Sequence, residues 1–193
     1  MRLLRLLGLV ATGAAAALAA CGDPFGLLGA SSVNAVDSLV SLYALTGTPV
    51  ATPSAYRLGG IAVPPGVVRT DQDVNLDFAF DIDSAGRAVL LPTGALRLGR
   101  ATGLQTTTVA FDSVRLAPDR GYQADSAVVV DSGTVALVHS APTTCGVGLS
   151  PVYHYYAKLL VLRVDTAARR LDFQILADQN CGYRGLEPGL PSR

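Results

Sequence analysis

The chain predicts an all-β domain, a single antiparallel β-sandwich or barrel of about nine or ten strands after an N-terminal signal helix. Three observations carry that prediction. Val, Thr, Tyr and Phe dominate stretches that Gly, Pro and Asp interrupt. Apolar and polar residues alternate with the two-residue period of a half-buried strand. The stretches are joined by short turns, which make antiparallel neighbours.

Val74 to Ile82 is the clearest element. Val74, Leu76, Phe78, Phe80 and Ile82 share one face, and Asn75, Asp77, Ala79 and Asp81 share the other. Asp83-Ser84-Ala85-Gly86 turns the chain, and Arg87 to Leu91 returns as the hairpin partner. Ahead of it, Val33, Val36, Val40 and Tyr43 fit a helical face, whereas Ser38 to Leu45 fits a strand, the reading preferred there. Thr46 to Ser54, with Pro49 and Pro53, is a loop. Further on, Thr108 to Leu116 reads as a strand, Pro118 to Gly121 as a turn, and Ser126 to Val130 as the return. Asp131-Ser132-Gly133 then turns into Thr134 to His139, and Asp165 to Arg169 joins a long strand, Tyr153 to Val164, to Leu171 to Ala177. The segments show no fixed period, which argues against a propeller.

Met1 to Ala20 has the parts of a secretory signal: Arg2 and Arg5, an apolar run, and small residues at its end. The run is shorter than the roughly 20 residues needed to span a bilayer. Leu18-Ala19-Ala20-Cys21 resembles the lipobox of bacterial lipoproteins. That resemblance covers the first 22 residues and implies cleavage before Cys21 and acylation of Cys21 with palmitate-type chains. It also implies a cell-envelope address. The lipoprotein class uses Asp directly after the cysteine as an inner-membrane signal; Gly22 stands there, so the outer membrane is favoured. The expected organisation is residues 1-20 as signal peptide, 21-32 as lipidated cysteine and tether, and 33-193 as the β-domain.

The whole chain carries 15 basic and 15 acidic residues, and loss of Arg2 and Arg5 leaves it slightly acidic. Nucleic-acid binding relies on clustered Lys and Arg, which this balance does not offer. The expected partners are the membrane, through the N-terminal lipid, and an envelope protein or glycan. No cofactor is implied. Cys145 and Cys181 are the cysteines left besides Cys21; in an oxidising envelope they are expected to form a disulfide. The closed loop of about 36 residues would contribute roughly 3 to 4 kcal/mol. A metal site from His139, Cys145, His154 and Cys181 has spacings of five, eight and 26 residues, which match no paired-ligand pattern.

Two motifs suggest chemistry. Val128-Val129-Val130-Asp131-Ser132-Gly133-Thr134 looks like the active-site signature of aspartic peptidases. That resemblance implies a homodimer, since the chemistry needs two such carboxylates and Asp131 stands in one copy. The plain alternative is a turn, for which Asp-Ser-Gly is well suited. Asp71, Asp73, Asp77, Asp81 and Asp83 are all odd-numbered and would line one strand face. Asp77, Asp81 and Asp83 are the candidates for a loose calcium site, but the EF-hand pattern fails at Ala85 and Pro92. A solvated outer face is the competing reading. Tyr153, Tyr155, Tyr156 and Tyr183 are either core tyrosines or stacking surfaces for a glycan or protein. Gly-x-Ser-x-Gly does not occur. The sequence therefore favours a non-catalytic binding or structural domain over an enzyme.

Overall fold

Alternation along Phe78, Phe80 and Ile82 buries all three side chains on one face of a strand, opposite a second sheet. This computed structural model describes residues 32-60, 63-144 and 152-190; the expected signal, Cys21, most of the tether and Cys145 lie outside them. The described strands are β1 (Ala35–Tyr43), β2 (Ala55–Arg57), β3 (Gly66–Val68), β4 (Phe78–Ile82), β5 (Ala88–Pro92), β6 (Gly103–Thr107), β7 (Val128–Val129), β8 (Val135–His139), β9 (Thr143–Thr144), β10 (Val152–Tyr153), β11 (Tyr156–Asp165) and β12 (Arg170–Ala177). One five-stranded sheet has the order β1-β12-β11-β8-β6, the other β3-β2-β4-β5-β7, and β9 and β10 form a separate ribbon. Every pairing is antiparallel. Neither sheet closes on itself, so the two expected alternatives resolve into open sheets packed as a sandwich.

The core lies between them. Leu42, Val138, Leu159, Phe173 and Ile175 come from the first sheet; Tyr56, Phe78, Phe80 and Leu90 come from the second. Tyr56 stacks on Phe78 with ring centroids 5.7 Å apart, and Phe173 meets both rings edge-on or tilted, at 5.8 and 6.0 Å. Aromatic pairs at such separations add about 0.5 to 1.5 kcal/mol beyond their buried area. The hydroxyl-bearing ring of Tyr56 is 2 % exposed, and burial pushes its pKa well up.

A third layer covers the outer face of the first sheet. Thr108 to Leu116 was expected to be a strand. Instead β6 ends at Thr107, and Phe111–Ser113 forms a short 3-10 turn. Residues 114-117 then lie across the sheet, packing Val114 and Ala117 with Val135, Leu137, Leu176 and Leu186. The tail locks this layer: the Ala117 amide donates to the Arg184 carbonyl at 2.8 Å, and the Leu186 amide donates to Arg115 at 2.8 Å. Lys158, the sole lysine, is 2 % exposed beneath it. Its Nζ donates to the Phe111 and Val114 carbonyls at 2.8 and 2.9 Å and stands 4.6 Å from the Phe111 ring centre. The ammonium thus finds carbonyl partners at the end of the 3-10 turn, where the Phe111 carbonyl also accepts the Val114 amide at 3.3 Å.

The Asp131 turn also departs from expectation. β7 pairs with β5 in one sheet and β8 pairs with β6 and β11 in the other, so Asp131 to Thr134 is a crossover between sheets. A hairpin would have kept both strands in one sheet. The crossover wins because its backbone joins β11: Gly133 donates to Val161 O at 2.8 Å, and Val161 donates to Thr134 O at 2.9 Å. Gly133 has φ +91, which a side chain would strain.

Candidate binding pocket

β2 and β4 approach the same end of the sandwich as the exit of β8 and the entry of β11. There a pocket of about 370 Å³ is lined by Arg57, Asp77, Arg100, Ser140, Thr143 and Tyr155, with Gly59 and Gly60 at its wall. That volume lies at the small end of ordinary ligand sites. Gly59 has φ +91, and a Cβ there would stand 2.7 Å from Pro65 N and 2.8 Å from Val63 O, so the wall requires glycine.

Asp77 is the unusual member. The alternation of Val74 to Ile82 placed it on an outer face; it is 2 % exposed. The strand begins only at Phe78, and the preceding residues are irregular, so the two-residue parity does not extend back to Asp77. The Asp77 amide donates to Tyr56 O at 2.8 Å, and its Oδ2 accepts the Leu58 amide at 2.8 Å. Its Oδ1 is buried and has no hydrogen-bond partner among the described residues. Burial pushes its pKa up; the Leu58 amide, Arg100, the Ala141 amide and Arg57 pull it back.

Arg57 donates through one terminal nitrogen to Asp73 at 2.9 Å, while its Nε is buried without a partner. Arg100 donates to the Asn75 side-chain carbonyl. Among the described residues no carboxylate forms an ion pair with Arg100. Among the described residues the pocket therefore joins a carboxyl oxygen and a guanidinium Nε without hydrogen-bond partners and a second guanidinium without a direct ion pair.

Ser140 organises the opposite wall. Its amide donates to Tyr155 O and its Oγ accepts the Tyr155 amide, each at 2.9 Å. Its carbonyl accepts from His139 Nδ1 at 2.8 Å and His154 Nδ1 at 2.7 Å. A carbonyl only accepts, so each imidazole carries its proton on Nδ1. The two rings stand 4.4 Å apart, and Tyr122 meets His139 edge-on at 4.5 Å. Burial, followed by His154, lowers the His139 pKa, against the Ser140 carbonyl that raises it. Gly103 opposes His139 across β6 and β8, and a Cβ there would stand 2.3 Å from His139 Nε2.

The first described residues of the chain are held by residues 178-180. Asn180 Oδ1 accepts the Ser32 amide at 2.9 Å, and Asn180 Nδ2 donates to Ser32 O at 2.6 Å. Asp178 Oδ1 accepts the Asn180 amide at 2.7 Å, and Gln179 Nε2 donates to Leu58 O at 3.1 Å. Residues 178-180 thus link the first described residue of the chain to the strand end that supplies Arg57 and Gly59. Asp178 is fully buried, and burial raises its pKa to about 6.

The other sequence candidates lie apart. Asp131 is exposed at the crossover, at the opposite end of the sandwich, where its amide donates to Thr134 Oγ1 at 2.9 Å. The odd-numbered aspartates do not form one acidic face. Asp71 pairs with Arg69, Asp73 with Arg57, Asp81 with Arg169 and Asp83 with Arg87, while Asp77 turns inward. Asp83 also closes its own turn by accepting the Ala85 and Arg87 amides, which, with the Arg87 side chain, hold its pKa down. Among the described residues no group of three or more His, Cys, Asp and Glu side chains is placed to hold a metal. His139 packs on the covered outer face with Tyr122, whereas Cys181 joins the inter-sheet core. Cys181 is disulfide-bonded, and Cys145 lies outside the described residues. Tyr155 and Tyr183 are buried, and Tyr153 and Tyr156 half-buried.

Sequence reasoning missed Arg57, Arg100 and the burial of Asp77. The signal available was Arg57 inside the apolar run Ala55 to Leu58, a charge in a short strand with no alternation to place it. The chain matches no protein-family model, no curated protein and no solved structure.

Proposed function

We propose that this chain is a lipid-tethered, non-catalytic binding domain of the cell envelope, which holds a small polar ligand in the pocket around Asp77. The observation that carries the binding reading is the paired orphaning of Asp77 Oδ1 and Arg57 Nε in one pocket. A buried polar atom without a partner costs about 1 to 3 kcal/mol, a cost that a ligand donor or acceptor removes. The tether reading rests on Leu18-Ala19-Ala20-Cys21 and the preceding signal. In the same reading Cys145 is the partner of Cys181, bracing the segment that ends at Thr144.

The test has two arms. Intact-mass analysis of the chain recovered from membranes should show acylation at Cys21, abolished by Cys21→Ser. Amide shifts of the Cys21→Ser chain, titrated with small envelope metabolites, should move at Arg57, Asp77, Arg100 and Ser140. Shifts confined to the Asp131 end would reject the pocket, and an unmodified Cys21 would reject the tether.

A further inference from the structure

We infer that the pocket takes a small zwitterion of the α-amino-acid class, its ammonium on Asp77 and its carboxylate on Arg100. This inference rests on the binding reading above and names its ligand chemistry.

The argument is one of charge. Around the pocket, the Arg57 guanidinium is answered by Asp73 at 2.9 Å. Two groups lack a direct ion pair among the described residues, Asp77 and Arg100, although each feels the other's charge. Asp77 has one oxygen bonded to the Leu58 amide and the other to nothing described, and it forms no ion pair among the described residues. Arg100 has a neutral partner, Asn75, and no carboxylate. A purely anionic ligand satisfies Arg100 and meets the buried Asp77 carboxylate with like charge. A purely cationic ligand does the reverse. A neutral polyol fills hydrogen bonds and gives neither group a direct, charge-assisted partner. A molecule with an ammonium close to a carboxylate answers both, and the charge-assisted bonds it makes are about twice as strong as neutral ones. Arg57 Nε, the remaining unpaired donor, is left for a second oxygen of the same carboxylate. The volume of about 370 Å³ admits a free amino acid or a dipeptide. The wall beside these groups, from Val63, Ala141 and Pro142, suits a small apolar side chain.

The experiment is calorimetric titration of the Cys21→Ser chain with five probes. Alanine carries both charges and alaninamide only the positive one. N-acetylalanine carries only the negative charge, glucose carries none, and alanylalanine separates the two. Alanine is expected to bind one to one, with alaninamide and N-acetylalanine at least tenfold weaker. Asp77→Asn, which keeps an acceptor for Leu58, and Arg100→Gln, at a half-exposed position, are each expected to weaken alanine at least tenfold. Tighter binding of alanylalanine assigns the contacts to a short peptide; weaker binding assigns them to the free amino acid. Equal binding of alanine and either singly charged probe overturns the two-charge inference. Glucose binding best, in an Asp77-dependent way, overturns the zwitterion and leaves the pocket standing. Binding by none of the probes overturns the inference, and the amide-shift titration then decides the pocket separately.

Discussion

Asp77 Oδ2 accepts the Leu58 amide at 2.8 Å across 19 residues of sequence. That bond fixes the carboxylate where β2 ends and leaves its second oxygen unpaired in the pocket. The binding proposal rests on this geometry, a carboxyl fixed at one oxygen with the other lacking a hydrogen bond among the described residues.

Asp178 makes stability fall with rising pH. Its pKa is about 6 in the folded chain against an ordinary 3.8, so the folded state holds the proton more tightly than the unfolded one. Stability is greatest below about pH 4 and declines as the pH rises towards 6, by at most about 1.4 kcal/mol per pH unit. Asp77 acts with the same sign, and the lowered pKa values of Asp83 and Asp165 act with the opposite sign. The difference between the native chain and Asp178→Asn isolates the first effect. Melting curves from pH 3.5 to 7 should converge at the acid end and separate above pH 5, with the variant the more stable.

Lys158 is a structural cation. Lys158→Met keeps the buried stem and removes the donors to Phe111 and Val114, at a cost of about 2 kcal/mol in urea unfolding. In the folded chain its amine should resist acylating reagents and react only after denaturation, which peptide mapping reads directly.

Gly103 is required by its neighbour. Gly103→Ala places a methyl 2.3 Å from His139 Nε2 and should cost about 1 to 3 kcal/mol. Adding His139→Ala removes the contact with the imidazole and leaves Tyr122 Cβ at 2.6 Å. The double variant should be less destabilised than the sum of the single ones, as a double-mutant cycle would show.

The hold on Ser32 depends on Asn180. Asn180→Ala removes both bonds to Ser32 and the side-chain bond to Asp178, while the backbone amide still donates to Asp178 Oδ1. Loss of these side-chain bonds should cost about 1 to 2 kcal/mol. Hydrogen exchange should quicken at Asn34 and at the start of β1, leaving the β4 and β5 amides unchanged.

Much of this fold can be read from patterns. Phe78, Phe80 and Ile82 announce β4 because large apolar residues alternate with Ala79 and Asp81, although Ala79 is itself buried in a smaller cluster. The β11–β12 hairpin follows from two apolar runs around Asp165 to Arg169. β2 and β3 are three residues each, too short to show a period. The Asp131 crossover has the chemistry of a hairpin turn, and the competing bonds come from Val161, distant in sequence. The pocket was hidden for the same reason. Arg57, Asp77, Arg100 and Tyr155 converge through strand order, which no local motif records.

The most direct test of the central claim is the thermal stability of Asp77→Asn in the absence of ligand. A buried carboxyl kept for a ligand is a burden on the empty protein, so replacing it with the neutral amide should leave the melting temperature unchanged or raise it. The variant should also lose binding. A fall in melting temperature of several degrees would show that Asp77 serves the fold, and would contradict the account.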